Sequence, residues 1–264
     1  MRRVKTANES RDLGIGGFNL PQGRLETPNY RVANHVRFCR AGALTIFLDL
    51  KANTYFAIDR TQASLLRDVV VDWDDKGTSS ASSPETSLAN QTKVVQELLE
   101  RGLLTSRTTR SKTVRHTDLD APDCDLLDQY WLEQPSIRLR HVIQFAAACT
   151  SASFLLRTCS LNRIVQLLVR RKQGCVADDL DSEAVTELVT IYFALRPLLF
   201  QGKDACLLDS LALFDFLLRY GMKPTWVIGV MSGPFRAHSW LQQHGTVLND
   251  RHRRVSSYTP ILAV

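Results

Sequence analysis

Three residues in the last quarter of the chain have the types and spacing of a sulfur nucleophile with its proton carrier: Cys206, His238 and Asp250. Cys206 opens a stretch in which Leu207, Leu211, Phe214, Leu217 and Leu218 recur at helical spacing. A thiol at a helix N-terminus lies among unpaired backbone N–H groups, and these favour the thiolate. His238 follows the turn-prone Ser232-Gly233-Pro234 and shares a strand face with Trp240. Asp250 enters through register. A three-residue loop Gln243-His244-Gly245, with Gly245 left-handed, sets Asp250 directly across the ladder from His238, Cβ atoms about 5 Å apart. A two-residue loop pairs Ser239 with Asp250 and turns His238 to the other face. Opposite an imidazole, a carboxylate fixes tautomer and orientation, and the imidazole then holds and relays the thiol proton. Read singly, the cysteine also suits a buried place in a Leu-rich helix and the histidine a satisfied core position. For the oxyanion, the backbone N–H of Cys206 and the side chain of Gln201 are the candidate donors.

The elements that must position these groups are legible along the chain. Residues 1–30 carry Gly14, Gly16, Gly17, Pro21, Gly23 and Pro28 among polar residues and read as an extension or irregular loop. From Val36 an apolar, β-branched pattern with turns at Gly42 and Lys51-Ala52-Asn53 predicts a three-stranded meander ending in Thr54-Tyr55-Phe56-Ala57-Ile58. Asp59 with Gln62 caps a helix carrying Ala63, Leu65, Leu66, Val69 and Val70. Ser83-Pro84-Glu85 opens a second helix, and Gln91 to Arg101 forms a third that stops at Gly102. Thr105 to Asp125 is polar, with Pro122, and reads as a linker. Helices follow at Ile137 to Thr158, Asn162 to Arg171, Ser182 to Phe200 (broken at Pro197) and Ala205 to Tyr220, then strands at Thr225 to Met231, Ala237 to Gln242 and Thr246 to Asp250. The expected fold class is α+β. A winged-helix-like domain, a meander plus three helices, precedes a helix-rich domain with a small antiparallel sheet.

Composition narrows the field. The 264 residues include 33 Lys+Arg and 27 Asp+Glu, a net +6, and are 44% hydrophobic, which excludes a wholly disordered chain, while 13 Gly and 9 Pro exclude collagen. The basic clusters Arg170-Arg171-Lys172 and Arg251 to Arg254 lack interleaved aromatics, so no nucleic-acid partner is expected. Polar residues follow the basic N-terminus, and the apolar stretches are short or interrupted. The expectation is a cytoplasmic protein with no stable membrane insertion. Six cysteines without CxxC pairs point to neither disulfides nor a zinc site, so no metal is expected.

Cys206-Leu207-Leu208-Asp209-Ser210-Leu211-Ala212-Leu213, Gly221, Val227-Ile228-Gly229-Val230, Pro234-Phe235, Ala237-His238-Ser239-Trp240 and Val247-Leu248-Asn249-Asp250 together resemble the transglutaminase-like cysteine peptidases of lasso-peptide biosynthesis, the B proteins, over roughly residues 130 to 264. Leu48-Asp49-Leu50 and Thr54 to Ile58 resemble the PqqD-like leader-recognition domain fused to some of them. Asp209 stands where a basic residue is usual, and Ser239-Trp240 with Gln242 where the family has Ala-Trp and an acidic residue. The resemblance implies an extension over 1–30, a leader-recognition domain over 31–107, a linker over 108–126 and a transglutaminase/papain-like peptidase domain over 127–264. It implies a leader peptidase with Cys206, His238 and Asp250 as catalytic residues and no cofactor in this chain. The partners would be the leader of a precursor peptide and a separate, ATP-using, asparagine-synthetase-like cyclase. An open meander edge can take an added peptide strand. The leader groove then falls between Thr54, Tyr55, Phe56, Ala57 and Ile58 and the third helix, with Lys93, Val94 and Glu97 as readers. Two rivals stay open: acyl transfer to an amine by the same triad, and a non-catalytic peptide- or DNA-binding protein, since the first half also reads as a winged helix.

Overall fold

The computed structural model describes residues 5–6, 30–71, 73, 84–106, 119–127, 135–174, 182–198 and 206–264. The fold is mixed α+β, and the chain divides into two compact units, Arg2–His116 and Thr117–Val264.

In the first unit the short strands β1 (Lys5–Thr6) and β2 (Arg31–Val32) precede an antiparallel meander into which the apolar alternation folds: β3 (Val36–Ala41), β4 (Leu44–Asp49) and β5 (Thr54–Asp59). β3, β4 and β5 pair in sequence order, the first turn at Gly42 (φ +61°) and the second closing through Asn53 (φ +54°). Asp49 Oδ1 accepts the backbone N–H groups of Lys51 and Ala52 and so folds that second turn. Asp59 and Gln62 form the expected capping box at the start of α1 (Arg60–Ser64). The helix is only five residues long. Leu66 and Val69 follow in turns and Val70 in a bridge to Tyr30, and all three reach the core.

The second and third helices expected in this half are one continuous helix, α2 (Pro84–Glu100), closed by Gly102 at φ +69°. Its polar first half suits a helix whose packing face begins only at Val94, so the Gln91 boundary marks the onset of burial, not a break. β6 (Leu104–Thr105) then pairs with β2. Phe47, Phe56, Ile58, Leu66, Trp73, Val95 and Leu98 share one core, with Trp73 stacked on Phe38 at 4.8 Å. The unit is a meander with two helices among the described residues. The outer edge of the meander carries an added strand. β1 runs parallel to β5, Lys5 beside Phe56 and Thr6 beside Ala57.

The second unit contains β7 (Cys124–Asp125), α3 (Leu139–Thr158), α4 (Leu161–Gly174), α5 (Ser182–Leu195) with a 3₁₀ turn at Arg196–Leu198, α6 (Cys206–Leu218), β8 (Thr225–Ser232), β9 (Phe235–Gln243), β10 (Thr246–Val247), α7 (His252–Val255) and β11 (Thr259–Ala263). The sheet order is β11-β8-β9-β10-β7. α6 is apolar all round because it is covered all round: Leu211 to Leu217 are buried between α3 and α5 on one side and β8 and β9 on the other. Each buried Leu or Phe there contributes about 1.5–3 kcal/mol of transfer free energy. Its two buried carboxylates are matched. Asp209 accepts from Tyr192 Oη at 3.1 Å and Arg196 Nε at 3.0 Å, and Asp215 pairs with Arg171 and Arg219.

α3 is one helix long and apolar enough to cross a membrane by length and composition. Its inward face, Phe145, Ala148, Cys149 and Ala152, is buried, and it packs on α6.

Candidate active site

β8 and β9 form a tight hairpin, with Ser232 paired to Phe235 and Gly229 to His238. His238 and Trp240 fall on one face, as the strand period requires, their rings stacked at 6.2 Å, while Tyr258 approaches the imidazole at 5.4 Å. Gly229 makes this packing possible. A Cβ there would lie 2.7 Å from the Trp240 ring and 2.9 Å from Tyr258 Cβ. Gly229→Ala is therefore expected to overpack the site at a cost of about 1–3 kcal/mol. By displacing the imidazole it should lower turnover roughly ten- to a hundredfold. Urea unfolding set against the rate on a soluble fraction separates the two losses, and an unchanged rate would show that Trp240 does not set the imidazole position.

Asp250 meets His238, but by a different route from the ladder register. The β9–β10 loop has two residues, His244 and Gly245, both left-handed (φ +47° and +83°), and the ladder pairs Thr246 with Gln243 and Val247 with Gln242. The three-residue loop is thus overturned, because a two-residue turn of this twist matches the right-handed twist of the strands. Continued to residue 250, that register would turn His238 away from Asp250. The ladder does not continue. After Leu248 donates to Leu241 O at 2.9 Å, Asn249 Oδ1 takes the Leu241 N–H at 2.8 Å in place of a backbone carbonyl, and the chain leaves the sheet. Asp250 swings in at this exit, with its Oδ2 2.5 Å from His238 Nε2.

The carboxylate is itself held. Oδ1 accepts the Arg251 N–H at 2.7 Å, and Arg254 lies 3.4 Å from Oδ2. One turn further, both the backbone N–H of His252 and its Nδ1 lie 2.8 Å from Asp125 Oδ2, which ties β7 to α7 just after Asp250. Asn249 and Asp125 are positioning residues that sequence spacing does not reveal. The one available signal was the polar run Asn249-Asp250 immediately after an apolar strand.

With Nε2 engaged by Asp250, the Nδ1 side of His238 remains for the thiol. At Cys206, the first residue of α6, the His238 imidazole and the backbone N–H and hydroxyl of Ser239 act on the sulfur and favour its charged form. Burial pushes the thiol up, and the imidazole and the Ser239 groups outweigh it, leaving Cys206 below the ordinary thiol range. Burial works against a charged His238, but the hydrogen bonds and charges of Asp250 and Cys206 raise it to about 9. Asp250 is held below the ordinary carboxylate range: burial opposes its charge, and the His238 hydrogen bond, the Arg251 N–H and the nearby cations prevail. Cys39 and Cys149 show the contrast. Burial, assisted at Cys149 by the carboxylates of Asp209 and Asp215, pushes both up to about 12.

A thiolate–imidazolium pair therefore persists between the lowered thiol range and pH about 9. The charged imidazole is fully present below its ordinary value and is lost as pH rises through about 9, so kcat/KM should fall on that basic limb. Its acid limb should lie below the range of a free thiol. A pH–rate profile with its acid limb at 8 or above would contradict this electrostatic arrangement.

The other sequence-selected positions divide. Thr54 and Lys93 are exposed, Tyr55 and Glu97 half-buried, and Phe56, Ala57, Ile58 and Val94 buried. Val94, Phe56 and Ile58 belong to the core, where the helix turns Val94 inward beside Val95 and Leu98. What the sequence reading passed over is Arg101. Its guanidinium lies 4.3 Å over the Phe56 ring and 3.1 Å from Glu97, so it bridges α2 and β5. Gln201 lies outside the described residues. Among the described residues, no group of three or more His, Cys, Asp or Glu side chains could hold a metal ion.

A helix-initial thiol, an imidazole beside it and a carboxylate behind the imidazole have the chemistry that acyl transfer through a cysteine nucleophile requires. Residues 140–263 match the transglutaminase-like superfamily, a likeness that suggests catalysis of the cysteine-peptidase or transglutaminase type. No curated protein and no solved structure matches the chain.

Proposed function

We propose that this protein is a leader peptidase of lasso-peptide biosynthesis, binding the leader of a ribosomally made precursor in its first unit and cutting it from the core in its second. The observation that carries the reading is the Cys206–His238–Asp250 constellation, with His238 Nε2 on Asp250 and the thiol lowered, on a chain whose sequence blocks around those residues resemble that family. The Cys206 thiolate attacks the scissile carbonyl. The imidazolium of His238 gives its proton to the leaving amine, and a thioester forms. His238, now neutral, takes a proton from water as the water attacks the thioester. The acid product leaves with the thiolate as the leaving group, and the thiolate–imidazolium pair is restored. A separate ATP-using, asparagine-synthetase-like cyclase then joins the freed amine to an acidic side chain of the core. Mass spectrometry of a precursor incubated with the protein tests the reading: two fragments that together carry one added water support it. Loss of ammonia with amine incorporation would assign amine transfer, the second outcome open to a transglutaminase-like domain.

The pairing of β1 on β5 supports a strand-accepting edge in the first unit. A segment of the same chain seated there competes with any incoming leader, and an apparent dissociation constant rises as the open fraction falls. Removing residues 1–29, which include β1, is expected to tighten leader binding about two- to tenfold by calorimetry. Unchanged or weaker binding would place the leader elsewhere.

A further inference from the structure

Behind Cys206 lies a file of polar side chains that the triad does not use. Trp226 Nε1 donates to Ser210 Oγ at 3.0 Å, Ser210 Oγ lies 2.9 Å from Ser239 Oγ, and Ser210 stands one turn along α6 from Cys206, whose thiol the Ser239 hydroxyl helps to lower. Trp226 and Ser210 are fully buried and Ser239 is 2% exposed, so bulk water does not compete for these bonds. Ser210 has a second acceptor in reach, the Leu207 carbonyl at 3.3 Å.

The direction of the chain follows from the donor inventory. An indole nitrogen only donates, so Ser210 Oγ must accept from Trp226 and has one proton left to give. A thiolate only accepts. With the sulfur charged, Ser239 points its proton at Sγ, and its oxygen then accepts from Ser210. With the sulfur neutral, in the thiol or the thioester, Ser239 can turn its proton to Ser210, and Ser210 turns its own to Leu207 O. We propose that Trp226, Ser210 and Ser239 form a hydroxyl relay anchored at the indole, which orients toward the Cys206 thiolate and reverses when the sulfur loses its charge. No bond is made or broken in this reversal; two hydroxyl rotors turn. In this relay Ser239 is the residue that donates to the reacting sulfur, and Ser210 and Trp226 position it. The anchored direction stabilises the nucleophile before attack, and the reversed one lets the chain follow the neutral thioester without an unpaired hydroxyl.

The proposal rests on Cys206 being the nucleophile, so the test reads the sulfur directly. Among the described residues, the charged and titratable groups nearest it are His238 of β9, with Asp250 and Arg254 behind it, and Asp209 paired with Arg196 one turn along α6. The substitutions leave all of them in place. Alkylation of Cys206 by iodoacetamide is followed across pH by peptide mass spectrometry on the full chain. In the parent, Cys206 should react with an acid limb below that of a free thiol. Ser239→Ala removes one charge-assisted hydrogen bond and should move that limb up by roughly one pH unit. Ser239→Thr keeps the hydroxyl and should restore the parent limb. Trp226→Phe removes the donor that polarises Ser210 and strengthens its bond to Ser239, so the limb should move in the same direction by less. Near-UV circular dichroism confirms folding, and Ser210→Ala provides a second, smaller change at the same relay. If parent Cys206 shows a lowered limb and folded Ser239→Ala and Ser210→Ala both keep it, the relay is overturned and the nucleophile stands. If parent Cys206 reacts as an ordinary thiol, the nucleophile assignment falls and the relay falls with it.

Discussion

Cys206→Ala is expected to abolish turnover on a precursor while leaving its affinity for the leader within about twofold. The sulfur forms the covalent bond on which both half-reactions depend, and no neighbouring side chain replaces it: the hydroxyls of Ser210 and Ser239 already bond each other, and His238 is committed to Asp250 through Nε2. Loss of a nucleophile of this kind costs about 10⁶-fold in a comparable triad enzyme, below the detection limit of most assays. Leader affinity should survive because the proposed docking edge is built from β5 in the other compact unit. Cys39 and Cys149 serve as internal controls, since their thiols are driven up by burial, and their Ala variants should lose only packing. Mass spectrometry of the precursor with each variant decides this, and residual cleavage by Cys206→Ala would remove the assigned nucleophile.

His238→Ala should be nearly as severe, and Asp250→Asn intermediate. The argument for Asp250 comes from its two engaged oxygens. Oδ1 accepts the Arg251 N–H and Oδ2 faces His238 Nε2. An amide cannot serve both. With its oxygen at His238, its NH₂ confronts the Arg251 N–H. Flipped, the NH₂ confronts Nε2 and favours the tautomer with the proton on Nδ1, which cannot take the thiol proton. A Ser-His-Asp enzyme loses about 10⁴-fold by this swap. A thiol is intrinsically more acidic and leans less on the carboxylate, so the expected loss is about ten- to a thousandfold. The basic limb should also fall below pH 9, because Asp250 is a principal cause of the raised imidazole. Rates within twofold of the parent, with an unmoved basic limb on a folded protein, would mean that Asp250 does not orient His238.

How the three residues come together divides what was legible in the chain from what was not. Periodicity and caps are local properties, and they were enough for the meander, the Asp59–Gln62 box, the helix beginning at Cys206 and the shared face of His238 and Trp240. Each depends on residues within a turn or a strand pair of one another. The α+β class and the choice of Cys206, His238 and Asp250 follow from that local pattern together with the family resemblance. Where the second and third helices run together, Val94 marks the beginning of burial, a tertiary fact that looks like a boundary in one dimension.

The meeting of His238 with Asp250 was decided in three dimensions. Ladder arithmetic assumes that a strand continues, and here the two-residue turn set the opposite register. Asn249 then satisfied the Leu241 N–H with a side chain, so the chain could leave the sheet and deliver Asp250 from outside it. The same holds for the file behind the sulfur. Ser210, Trp226 and Ser239 come from three different elements, and buried polar groups must find partners wherever the packing brings one within reach. Local sequence determined which groups each element carries. The tertiary structure decided which of them share a hydrogen bond, because that depends on where strands end and how a buried helix is rotated against the sheet.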